Sequence, residues 1–105
     1  MSKTKNLHEL VNLLVKALRH KIGALVNPNE IYAQKYAKDA DVLMKEAQKV
    51  ALRENWNNYE KIEIRKELEK KLKIELEKKD FLDSRKFDIM GEEIDKALNF
   101  LGLQN

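Results

Sequence analysis

The sequence predicts an all-α fold of four amphipathic helices, and three observations predict it. Apolar side chains recur at three- and four-residue steps through most of the chain. The one proline, Pro28, and the asparagine cluster Asn55 to Asn58 fall between those periodic stretches, and Gly102 follows the last of them. The segment after Tyr59 is dominated by charge, with fourteen of its twenty residues through Lys79 ionised, a composition suited to a solvated helix with a narrow apolar seam. Short connections between such helices favour an antiparallel bundle or a related helical array.

The first helix is expected over residues 6–25, where Leu7, Leu10, Val11, Leu14, Leu18, Ile22 and Leu25 share one face. Residues 26–31 then read as a restart signal. Asn27 is placed to cap a second helix, Pro28 to occupy its first position, Glu30 to complete a capping box, and Val26 to staple against Ile31. The second helix is expected over 28–54, with Tyr32, Tyr36, Ala40, Leu43, Ala47, Val50 and Ala51 inward and its alanines inviting close packing.

Asn57 and Glu60 form a second capping-box pattern at the head of a third helix, 58–79. Its seam is Ile64, Leu68, Leu72 and Leu76, and Glu67–Lys71, Glu69–Lys73 and Glu75–Lys79 each place a glutamate four residues before a lysine. Residues 62–64 and 72–76 also alternate as a strand would, so periodicity alone leaves helix and strand open there. After a turn at 80–83, a fourth helix over 84–101 carries Phe87, Met90, Ile94, Ala97, Leu98 and Leu101 on one side, with Gly91 a weak point within it and Gly102 as its stop.

At 105 residues and 12.4 kDa the chain suits one domain, 1–105, able to bury a single core. Apolar residues at 43% and charged residues at 37% set it apart from disordered tails and membrane proteins. The absence of cysteine excludes disulfides and thiolate metal sites. With neither a membrane span nor a secretory leader legible, a cytoplasmic location is expected. The net charge of +3 is unevenly spread: +4 over residues 1–26, zero over 27–55, +2 over 56–79 and −3 over 80–105. Alternation of this kind lets helices of a bundle pair with one another, and the basic start offers an anion a place to bind.

Chemistry-bearing constellations are sparse. His8 and His20 stand about 18 Å apart along one helix, too far to share a metal ion. Asp88, Glu92 and Asp95 bring three carboxylates to one side of the fourth helix, where a hard cation or, more simply, water would meet them. No glycine-rich phosphate loop and no hydrolytic triad can be assembled, so neither an enzyme nor a cofactor or metal site is expected. Lys5, Asn12, Lys16 and Arg19 form an outward stripe on the first helix with His20 beside it, suited to a partner or to phosphates. Trp56 is suited either to anchor an interface or to plug the end of the bundle.

Trp56, Arg65, Leu68, Lys73, Leu76 and Phe81 stand at spacings that resemble the C-terminal helical region of the motor subunit of type I restriction endonucleases. There a tryptophan precedes a basic helix, an aromatic turn and a further helix. The resemblance covers residues 56–97 and implies an assembly or docking role, since the nuclease and ATPase motifs of that family are absent. The expectation from the sequence is therefore a non-enzymatic helical module that binds another protein or its own copy, with no membrane and no small-molecule substrate. The alternative is a small nucleic-acid-associated protein, in a restriction or defence setting, that uses the basic face of helix one.

Overall fold

The computed structural model describes residues 3–29, 31–79 and 84–104. Four helices account for most of them: α1 (Lys3–Val26), α2 (Ala33–Ala51), α3 (Asn58–Glu77) and α4 (Arg85–Phe100), with no strand among the described residues. The chain folds as two helical hairpins. Asn6 of α1 meets Glu54 just beyond α2, and Arg65 of α3 meets Asp95 of α4, so each hairpin is antiparallel. Lys3–Glu60 and Arg19–Glu75 contacts show that α1 and α3 run side by side in the same direction. The hub is α1, which packs against all three other helices, while α3 also packs on α4 and α2 rests chiefly on α1.

The apolar stripe of α1 accounts for its central place. Leu7, Leu10, Val11, Leu14, Leu18 and Ile22 are buried, and Val15 and Ala17 widen the stripe enough to serve three neighbours. At its end the register differs from the expectation. Leu25 and Val26 both continue the three-four pattern from Ile22, but the core takes Val26, at 3% exposure, and leaves Leu25 at 49%.

This choice dissolves the expected restart at 26–31. The Asn27 amide donates to the Gly23 carbonyl and so closes α1 instead of capping α2, and Ile31 is 83% exposed and cannot staple to a buried Val26. Glu30, the third member of the expected cap, lies outside the described residues. Helix α2 instead begins at Ala33 after Tyr32, which gives no side-chain cap. Its inner face is built mainly from Ala33, Ala40, Ala47, Val50 and Ala51, with Tyr36 and Leu43 only half-buried and Tyr32 exposed. Alanine at seven-residue spacing lets the α1 backbone approach closely.

Helix α2 stops at Ala51 rather than Glu54 because another group takes its last carbonyl. The Trp56 indole Nε1–H donates to the Ala51 oxygen at 2.9 Å, and the turn this makes leads directly into α3. There the expected capping box is present in both halves. The Glu60 amide donates to Asn57 Oδ1 at 2.8 Å and the Asn57 amide to Glu60 Oε1 at 2.9 Å. Helix α3 then runs unbroken through 62–64 and 72–76. A helix buries Ile64, Leu68, Leu72 and Leu76 completely and leaves Ile62 and Ile74 at the surface, which a strand register would not.

The glutamates of α3 do not pair as expected with the lysine four residues on. Glu69 accepts from Arg65, and Glu75 pairs with Arg19 of α1 and with Lys78 three residues on, so in both cases an arginine takes the carboxylate that the lysine four residues on was expected to hold. In α4, Ile94, Ala97 and Leu98 are buried, whereas Met90 and Leu101 sit at the margin and Phe87 is 39% exposed beneath the Lys86 ammonium. Its stop is the one expected. Gly102 adopts a φ of 70°, its amide donates to the Asn99 carbonyl, and the Leu103 amide reaches back to Leu98, which returns Leu103 to the core.

These two junctions predict opposite responses to the same substitution. Asn57→Ala removes a formed cap and should cost about 1 kcal/mol of stability, whereas Asn27→Ala, with no cap to lose, should stay within about 0.5 kcal/mol. Equal urea midpoints for the two variants would contradict the assignment.

Candidate functional site

Two clefts flank α1, and the residues expected to bind divide among them and the ends of the bundle. Between α1 and α3, Asn12, Lys16 and Arg19 face Lys71, Ile74 and Glu75 across a groove of about 380 Å³. Arg19 is not free within it, since its Nη1 lies 2.9 Å from Glu75 Oε1. That bond, with Lys78 on the same carboxylate, holds Glu75 below the ordinary glutamate value although burial pushes it up. Lys16 is exposed, and Lys5 is exposed toward the start of the same helix.

His20 leaves this stripe for the other side of α1. Its ring meets Tyr36 edge-on at 5.4 Å, and its Nδ1 lies 3.9 Å from Asp39. Burial pushes its pKa below the ordinary value and Arg19 and Lys79 push further, against the opposing pull of Asp39. Trp56 sits at the end of the bundle, half-buried against the core, with the Lys3 ammonium 5.7 Å from its ring centre and its N–H committed to Ala51. Of the expected partner contacts, then, only Lys16 and Arg19 share a groove. The carboxylates of α4 also part company, Asp95 to Arg65 and Glu92 to Lys96, and no three metal-ligating side chains converge among the described residues.

The second cleft was not legible in the sequence. Helices α2 and α4 both lie along α1, and between them a cavity of about 220 Å³ opens over Ala17 and Leu18. Met44 of α2 and Phe100 of α4 form its apolar walls, and Phe100 is 56% exposed at its mouth. Glu93 lines it as well, and only 3% of that residue reaches solvent. Lys21 Nζ lies 2.8 Å from Glu93 Oε1 and Lys96 Nζ 3.3 Å from Oε2. Oε1 nevertheless accepts no well-directed hydrogen bond, so Lys21 neutralises it as a charge without satisfying its lone pairs. Burial pushes the Glu93 carboxyl up, and the two lysines more than offset this and hold it below the ordinary range.

A sequence signal for this arrangement was present only in part. Glu93 adjoins Ile94 in the apolar register of α4, and Lys21 adjoins Ile22 in that of α1, but nothing in either helix alone places the two against each other. Chemically the cleft offers an apolar slot with one buried carboxylate held by two lysines. No family model matches the chain, and no curated protein and no solved structure matches it either.

Proposed function

We propose that the chain is a non-enzymatic protein-interaction module whose partner seats a side chain in the cleft between α2 and α4. One observation carries this reading: Phe100, a large aromatic side chain, stands 56% exposed at the mouth of an apolar slot instead of filling it. Exposed aromatics beside a concave apolar surface are the usual anchors of interfaces. A trough between two helices that both lie on a third also matches the groove in which an amphipathic partner helix is received. Such a role agrees with the docking function implied by the resemblance of residues 56–97 to the restriction motor subunit.

A photo-crosslinking amino acid in place of Phe100 is expected to capture a protein, either a partner or a second copy of the chain, in native lysate. The same group in place of Ile62, at the surface of α3, should capture far less. Equal capture from both positions, or none from position 100, would overturn the reading.

A further inference from the structure

Because α2 rests on α1, its opposite face is open, and that face is lined with lysine. Lys35, Lys38, Val42, Lys45 and Lys49 follow one another at steps of three, four, three and four residues, and all are exposed. This spacing puts them on one ridge of the helix. None of the four lysines has an ion-pair partner among the described residues. Of the described acids of the same segment, Asp39 lies toward His20, Asp41 lines the cleft and Glu54 meets Asn6, while Glu46 on the shoulder of the ridge pairs with none of the four. Residues 27–55 sum to zero charge in the sequence, yet the outer face of α2 carries four lysines that no carboxylate of the described residues pairs with.

From this placement we infer that the α2 ridge is a contact surface for the sugar-phosphate backbone of nucleic acid, bound without sequence preference. Lys35 and Lys49 are fourteen residues apart, about 21 Å along the helix at its usual rise. At about 3.4 Å of axial rise per phosphate on one strand, that length faces roughly six phosphates, enough to meet four ammonium groups. Like charges held along one ridge repel each other, and a polyanion relieves the repulsion while releasing its condensed counterions. Lysine acts here as a point charge on phosphate, and the ridge presents no arginine or asparagine fork with which to read base edges. An anionic membrane is the poorer fit, because insertion needs a continuous band of large apolar side chains, whereas on this ridge Val42 stands alone between the lysines and Ile31 and Leu52 are exposed only at its two ends. An acidic protein would find the same charges but no aromatic or arginine anchor among them, only the small aliphatic Val42. This surface is distinct from the cleft that holds Glu93 and does not depend on it.

Fluorescence anisotropy with two labelled duplex DNAs of unrelated sequence, at several salt concentrations, tests the inference on the full chain. Both duplexes should bind alike, with log K falling by about 3.6 per decade of salt for four phosphate contacts. K38Q/K45Q/K49Q should lose more than about tenfold in affinity at low salt and flatten that slope by about 2.7. K66Q/K70Q/K73Q removes the same charge from the exposed face of α3 and should change neither quantity appreciably. All six lysines are exposed, and circular dichroism should show every variant folded. Equal losses in the two triple variants, loss confined to K5Q/K16Q, or binding to phosphatidylserine vesicles or polyglutamate but not to DNA would each overturn the assignment.

Discussion

Leu68→Ala is expected to lower the unfolding free energy by about 2–5 kcal/mol, and Leu14→Ala by a similar amount. Leu68 is completely buried at the centre of the α3 seam, and Leu14 is completely buried on the helix that contacts all three others. Truncation at either site removes the transfer free energy of the lost carbons and leaves a cavity that a helix pinned on several sides cannot collapse to fill. Lys70→Ala, two residues along α3 on its exposed face, should stay within about 0.5 kcal/mol. Urea denaturation of the three variants decides the matter. Comparable shifts at Leu68 and Lys70 would mean that the inner and outer faces of α3 have been exchanged.

The second large effect is expected at the buried charge. Lys21→Met should cost about 2 kcal/mol, because it strips the ammonium from Glu93 Oε1 and leaves a buried carboxylate supported by Lys96 alone. The double variant K21M/E93L should recover most of that loss, since a buried ion pair replaced by packed apolar groups is often neutral. The pH dependence has a definite sign. The carboxyl of Glu93 is held below its ordinary value of 4.5, so below that value the unfolded chain binds more protons there than the folded one. Stability from this group is therefore fully present above pH 4.5 and is lost as pH falls through the folded value. Urea midpoints followed from neutral pH into this range should fall less steeply in E93Q than in the parent chain. Glu60 and Glu75, held low by Lys3 and Asn57 and by Arg19 and Lys78, account for a remaining slope. Identical profiles for E93Q and the parent would show that the pair contributes nothing to acid sensitivity.

Where sequence reading and structure part, the cause is competition between local signals and packing. At 26–31 every local cue for a helix start is present, yet Val26 gains more from completing the core face of α1 than from a staple with Ile31, and the cap is lost with it. At 51–54 helix propensity would carry α2 onward, but the Trp56 indole takes the Ala51 carbonyl and ends it. Asn57–Glu60 and Gly102, by contrast, act within a single turn of chain, and both stand where the sequence put them. The contacts that could carry function are of the other kind. Arg19 lies on the expected stripe, but its tie to Glu75 spans two helices far apart in the chain, and so does the Lys21–Glu93 pair that defines the cleft.

The sequence by itself determined that this chain is helical, where its four helices lie to within about five residues, and most of the leucines and isoleucines that form the seams, Leu25 being the clear exception, because propensity, capping and periodicity act between residues a turn or two apart. Tertiary structure alone decided that α1 is the hub, that α2 and α4 leave a cleft across it, and that a segment of zero net charge shows four unpaired lysines on one face. Those features depend on which face of each helix its neighbours cover. Counting charges along a chain cannot reveal that, since burial and pairing remove some of them from view and leave the rest to face solvent or a partner.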